Sequence, residues 1–181
     1  EDRFLFVYAG TLETYQGIDL LIEAFAEVVK ERPDAFLLIV GGTGPQVEHY
    51  RDITSAQGLD EHCHFTGTVS QHLAHDYMRS ADVLLSPRTE GTNTPLKVYQ
   101  QLASGIPLVA TDIFSHTQVL NEEVAFLAAP EVGAFGQAMI AAMSDQQEAM
   151  KRAQNAVRLY EEEYSRDNYV RKLSKMLQGL R

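Results

Sequence analysis

The chain has no tryptophan, a single cysteine among 181 residues, and no apolar run near the roughly 20 residues that cross a bilayer as a helix. The lone thiol, Cys63, cannot close an internal disulfide, so a reducing, cytoplasmic compartment is expected. No secretory leader is recognisable, and for a longer parent protein the inner face of a membrane stays open as a location. Basic residues are scarce too: 15 Lys and Arg against 25 Asp and Glu give a formal net charge of -10. That balance argues against nucleic acid or an anionic membrane as the main partner. It leaves room for a small anion held by one or two local cations.

Several chemistries lack their motifs. There is no Gly-Lys-Ser/Thr phosphate loop and no Gly-x-Ser-x-Gly elbow. Gly42-Thr43-Gly44 lacks the third glycine of a dinucleotide fingerprint, with Val47 in its place. ATP hydrolysis, serine-hydrolase and nicotinamide reactions are therefore not expected. His62-Cys63-His64 offers two histidines to one side of a strand and turns the thiol to the core. No second cluster nearby completes a ligand set, so no metal is expected. His72, His75 and Asp76 read as a solvated helix face, and Glu161, Glu162 and Glu163 as a solvated helix end.

What is present is an alternation of short apolar runs and helical periods, the mark of a parallel sheet with crossover helices. Strands are expected at 4–9, 36–40, 63–65, 83–85, 107–110 and 124–127. Helices are expected at about 17–32, to about 57, at 71–79, from Pro95 to Gly105, at 133–143, at 147–163 and from about 166. The fold class is α/β, a Rossmann-like doubly wound parallel sheet of about six strands. Ligands of such sheets lie beyond the carboxyl ends of the strands. Four loops rich in glycine or hydroxyls fall there: Gly10-Thr11, Gly41-Gly42-Thr43-Gly44, Thr66-Gly67-Thr68 and Ser86-Pro87-Arg88. Tyr15 and Gln16, in the first of these connections, are within reach of the same edge.

The segment from Arg88 to Gly105 carries the most chemical information. Thr94 is expected as a helix N-cap and Pro95 as the first helical residue, with Gly105 and Pro107 ending the helix. Lys97 then lies in the first turn, where the helix dipole disfavours a cation. An anion held by the free amides of the helix start accounts for it, and phosphate is the common case.

Taken in order, Tyr8-Ala9-Gly10-Thr11-Leu12, Tyr15-Gln16-Gly17-Ile18-Asp19-Leu20-Leu21, Val40-Gly41-Gly42-Thr43-Gly44-Pro45, Phe65-Thr66-Gly67-Thr68-Val69, Ala81-Asp82-Val83 and Leu102-Ala103-Ser104-Gly105-Ile106-Pro107-Leu108-Val109-Ala110-Thr111 resemble the C-terminal, donor-binding half of a GT-B glycosyltransferase of family 4, also called group 1. The resemblance covers nearly the whole chain. It implies a nucleotide-diphosphate sugar as substrate, no cofactor, no obligatory metal, hexosyl-type transfer with retention, and an N-terminal acceptor domain as partner. Residues 1–164 would be the donor domain and 165–181 a helix crossing to that partner; Tyr169 and Leu173 on it would be exposed in isolation or drive dimerisation. The isolated domain would be inactive.

The resemblance also distributes roles. The base would meet Thr68 and Val69, and the donor sugar Thr92, Asn93 and the Gly41–Gly44 turn. Counted back from Gly105, the family's two glutamates fall at Thr92 and Gln100, and Gln100 would hold the ribose through its amide oxygen. The family's arginine and lysine of the first loop fall at Thr11 and Gln16. Lys97, the amides of Leu96 and Lys97, and Arg88 would replace them on the diphosphate, since buried phosphate charge requires compensation. Two alternatives stay open: a nucleotide-sugar epimerase on the same fold, and a non-catalytic domain that has lost donor binding.

Overall fold

The computed structural model describes residues 3–178. Six strands form one parallel sheet: β1 (Phe4–Ala9), β2 (Ala35–Val40), β3 (Cys63–Gly67), β4 (Val83–Ser86), β5 (Leu108–Thr111) and β6 (Phe126–Ala128). Their spatial order is β3-β2-β1-β4-β5-β6. The chain thus builds outward from β1 in one direction, then returns to lay β4 on the other side of β1. Helices cover both faces, as the near-continuous apolar strands require. The doubly wound α/β expectation holds.

Alternate residues along each strand feed two separate cores. Phe6, Tyr8, Leu37, Ile39 and Leu85 pack with Leu21, Phe25 and Val28 of α1 (Ile18–Glu31), Val47 and Tyr50 of α2 (Gly44–Ala56), and Phe135 and Met139 of α6 (Val132–Ser144). Val7, Leu38, Val40, Leu84 and Leu108 pack with Met78 of α3 (Gln71–Arg79), Val98 and Leu102 of α4 (Leu96–Ala103), and Ala156 of α7 (Gln146–Leu159). Cys63 is half-buried against the first core, where burial pushes its thiol up to about 12. It is no reactive thiolate.

Three elements differ from the sequence expectation. The sixth strand begins at Phe126, because Val124 and Ala125 are held in a turn by amide bonds to Asn121 O at 3.2 and 3.1 Å. The helix expected through Glu163 is α-helical to Leu159 and widens into a π turn at Tyr160–Tyr164. There Tyr164 meets the Tyr99 ring edge-on, with centroids 5.0 Å apart. A four-residue helix, α5 (Phe114–Thr117), follows β5 where none was expected.

The last helix, α8 (Arg166–Gln178), follows the extended Ser165. Buried Asn168 ties it to the π turn by donating to Glu163 O at 3.0 Å. Tyr169, Val170, Leu173, Met176 and Leu177 are exposed along it. Residues 179–181 of the expected crossing helix lie outside the described residues.

Two glycines set how closely the strand-end loops approach one another. Gly17 has φ of 73°, and a Cβ there would lie 2.0 Å from Pro87 O; at Gly41, φ is 120° and a Cβ would lie 2.0 Å from Gly10 O. The connections after β1, β2 and β4 are therefore in backbone contact. Gly17→Ala is expected to cost on the order of 3 kcal/mol by combining left-handed strain with a backbone clash. Urea unfolding checks this; a loss below about 0.5 kcal/mol, the size of an ordinary surface substitution, would mean that the two loops separate freely.

Candidate functional site

In a sheet of this order the crevice opens where the connections from the two central strands diverge, here between β1 and β4. Beside it, a groove of about 310 Å³ lies beyond the ends of β1 and β2 and against the connection after β3, and no residue of β4 or of the loop after it lines that groove. Gly10, Thr11, Gly42, Thr43, Thr68 and Val69, all expected at the ligand, line it. Thr68 Oγ1 donates to Gly42 O at 2.9 Å, which joins the loops after β2 and β3. Thr43 closes the start of α2: its amide and hydroxyl both donate to Gln46 Oε1, at 3.0 and 3.1 Å. Thr43 is thereby committed to its own helix rather than free for a ligand.

Glu13 and Gln46 also line the groove, and Gln46 Nε2 donates to Glu13 Oε1 at 3.0 Å. Sequence reasoning passed over both. The only available signal was the position of Glu13 in the first connection, beside Leu12 and Tyr15. A carboxylate at this end repels phosphate and suits hydroxyl or amine donors instead.

The expected cations, Lys97 and Arg88, lie outside the groove lining. α4 begins at Leu96, and Pro95, with φ of −65° and ψ of 136°, is its N-cap. The expected Thr94 cap and Pro95 first-turn position are both shifted by one residue. The extended ψ of Pro95 keeps it outside the helix, while its carbonyl accepts from Val98 N at 3.0 Å. Proline has no side-chain acceptor, so the first amides of α4, at Leu96 and Lys97, receive no cap. Leu96 is 82% exposed, and only its amide can serve a ligand.

Lys97 does not extend into water. It folds back so that Nζ donates to Gln16 Oε1 at 3.0 Å and stands 4.4 Å from the centre of the Tyr8 ring. A Cβ at Gly10 would sit 3.5 Å from Nζ, which places the ammonium behind the groove lining. Burial, with Arg88 adding its charge, pushes the ammonium down to about 7. Tyr8 donates its hydroxyl to Thr11 O at 2.6 Å, and burial holds the phenol well above its usual range. Gln16 is buried, with Nε2 3.5 Å from Thr11 Oγ1.

The Arg88 guanidinium lies 5.2 Å from the centre of the Tyr15 ring. Among the described residues neither Arg88 nor Lys97 has a carboxylate partner within ion-pair distance. In a chain of net charge -10, two neighbouring cations without acidic partners stand out as a local excess of positive charge.

The remaining expected residues are more dispersed. Thr92 and Asn93 are exposed on the loop before α4, and Thr92 O accepts from Gln118 Nε2 at 2.7 Å. Gln100 is not among the residues lining the groove. It lines another hollow with His75, Arg79, Tyr99 and Tyr160. Five residues of sequence from Gln100 to Gly105 fixed its place on α4 but not which way the helix turned it. No group of three His, Cys, Asp or Glu suited to a metal occurs among the described residues. None of the described helices is long and apolar enough to cross a membrane.

His116, also missed by sequence reasoning, is fully buried beneath the β4–α4 loop. Its Nδ1 is 2.9 Å from Thr111 O and 3.0 Å from Thr111 Oγ1, and its Nε2 is 3.0 Å from Ser86 Oγ. A carbonyl only accepts, so Nδ1 carries the proton and Nε2 accepts from the Ser86 hydroxyl. Burial pushes the imidazole down to about 4, with the Lys97 and Arg88 charges acting the same way and the bond to Thr111 opposing.

This sheet order, with its strand-end crevice, defines a doubly wound α/β domain. The model of the family "Glycosyl transferases group 1" matches residues 1–159, and the chain belongs to that family. A phosphatidyl-myo-inositol mannosyltransferase of Mycobacterium tuberculosis is 33% identical over 111 residues, 61% of this chain and 28% of that protein. The putative glycosyltransferase YtcC of Bacillus subtilis is 26% identical over 99% of this chain and 46% of its own length. Among solved structures, the Anabaena protein HepE in complex with UDP superposes with a TM-score of 0.86 at 17% identity, covering 98% of this chain and 49% of that one. The C-terminal domain of a group 1 glycosyl transferase from Francisella tularensis gives 0.77 at 20% identity, covering 90% and 87%. The chain thus spans about half the length of its full-length relatives.

The neutral buried His116 makes stability acid-sensitive. The unfolded chain takes up its proton near 6.5 and the folded chain only near 4, so stability is lost as pH falls through that window. Between pH 7.5 and 5 the expected contribution is about 2 kcal/mol. Urea unfolding at the two pH values should show that loss in the wild type and a flatter response in His116→Asn. Equal slopes would assign the acid sensitivity to other groups.

Proposed function

We propose that this chain is the donor-binding half of a retaining glycosyltransferase and holds a nucleotide-diphosphate sugar along the β1/β4 crevice. The observation that carries the reading is Lys97: an ammonium drawn back over Tyr8 to Gln16, beside uncapped helix amides and Arg88. A diphosphate supplies the negative charge this arrangement lacks. Lys97 and Gln16 meet at 3.0 Å although 81 residues apart, so a cation from α4 occupies the place where the family resemblance puts a loop lysine. The base lies toward Thr68 and Val69, with Glu13 positioned for hydroxyl or amine donors of the ligand. Thr92 and Asn93 face the sugar from their loop.

The family membership and the UDP found in HepE support a nucleotide ligand. A GDP-mannose-dependent mannosyltransferase of Mycolicibacterium smegmatis, 38% identical over 117 residues, makes GDP an equal candidate. Transfer itself requires the acceptor half, to which α8 crosses through its exposed apolar residues; the chain alone binds and does not turn over. The donor needs no metal, because fixed cations and helix amides neutralise its phosphates.

Calorimetric titration with UDP, GDP and ADP, without added metal, is expected to find one nucleotide that saturates. Lys97→Ala should weaken it at least tenfold, or about 1.4 kcal/mol. Affinity should also fall as pH rises above about 7, where the free ammonium loses its proton, by at most about tenfold per pH unit. Binding near pH 7.5 should then take up protons, visible as a dependence of the measured heat on buffer ionisation enthalpy. A folded chain that binds none of the three would favour the domain that has lost donor binding; unchanged affinity in Lys97→Ala would remove the lysine from the site.

A further inference from the structure

The β4–α4 loop carries the exposed residues assigned to the sugar, yet its base is held with unusual completeness. Ser86 and Pro87 are buried, and Thr89 N donates to Tyr15 O at 3.0 Å. Gly17 leaves no space above Pro87 O. Beneath the loop lies the hydrogen-bonded set of Ser86, Thr111 and His116, each with no exposed surface. Ser86 ends β4 and Thr111 ends β5, so the imidazole joins the carboxyl ends of two neighbouring strands. The Thr111 hydroxyl accepts from Nδ1 and spends its own proton on Arg88 O. One directed chain therefore runs from Ser86 through His116 and Thr111 to the backbone of Arg88.

An apolar residue would fill this volume without burying three polar groups, and such substitution at a satisfied network is often neutral for stability. The network does something packing alone would not: it fixes the carbonyl of Arg88, two residues beyond the end of β4, and so the backbone from which the guanidinium reaches over Tyr15, its Nε donating to Glu90 O. We propose that His116 is a positioning residue, which through Thr111 aims the Arg88 guanidinium at the phosphates of the bound nucleotide. This rests on the donor-site reading above. Neither His116 nor Arg88 is among the residues lining the groove, so His116 acts through the Arg88 backbone and not as a contact of the ligand.

A double-mutant cycle tests the proposal. Affinity for UDP and GDP is measured by calorimetry in Thr111→Val, His116→Asn and Arg88→Ala, and in Arg88→Ala combined with each. Thr111→Val keeps the side-chain volume and the bond from Nδ1 to Thr111 O while removing the donor to Arg88 O. His116→Asn retains a donor for Thr111 and is expected to preserve part of the effect. Thr111→Val should lose about tenfold in diphosphate affinity, and adding Arg88→Ala to it should cost less than threefold more, because the two act through one group. A purely structural role would lower stability in urea but leave the affinity of the folded chain and the effect of Arg88→Ala unchanged, and that result overturns the proposal.

A chain that binds neither nucleotide sinks the donor-site reading but not this test. The Arg88 Nε–H resonance, assigned by its loss in Arg88→Ala, then serves as readout. It should shift in Thr111→Val and less in His116→Asn. An unmoved resonance in a folded Thr111→Val overturns the positioning role whatever the ligand.

Discussion

Because β1 sends its connection toward β2 and β4 sends its own toward β5, the two connections diverge from a shared base, where Thr89 N donates to Tyr15 O and Gly17 packs against Pro87 O. The candidate residues of the first connection and of the start of α4 owe their places to that divergence. Lys97 and Gln16, far apart in sequence, meet there because α4 and the first connection flank the same opening. Gly17 and Gly41 let the walls of the opening approach to backbone contact.

Charge is distributed unevenly over this opening. Lys97 and Arg88 stand outside the groove lining without carboxylate partners, while Glu13 lines it beside Gln46. A strongly acidic protein leaves these cations without carboxylate partners, so the site retains unfavourable desolvation. The depressed Lys97 ammonium is the sign of that stress. His116 bears the same field from below and stays neutral, which permits a buried imidazole to act as a fixed bracket rather than as a further cation.

Much of the fold was legible because it rests on local pattern. The strand at Phe4–Ala9 and the helix at Gln71–Arg79 were expected with their observed bounds, since apolar runs and helical periods are sequence-local signals. The π turn at Tyr160–Tyr164 was not legible, because the Tyr99–Tyr164 contact that accompanies it comes from a distant helix. Nor was α5, whose four residues give no period to detect. At the site, glycine and hydroxyl loops were found by their position after strands. Glu13 was missed since an acidic residue in a loop is ordinarily solvated, and His116 since nothing in Phe114–Thr117 announces burial.

The sequence by itself determined the alternation of strands and helices, the glycine loops at one edge, and a lysine in a helix first turn where a cation needs an explanation. Those depend on neighbours along the chain and on backbone preferences. Tertiary structure alone decided the direction of Lys97, the exclusion of Gln100 from the groove lining, and the bond from Thr111 to the Arg88 carbonyl. Each of these depends on the rotation of a helix or the apposition of two strands, which is set by packing two cores against one sheet and by no single segment of the chain.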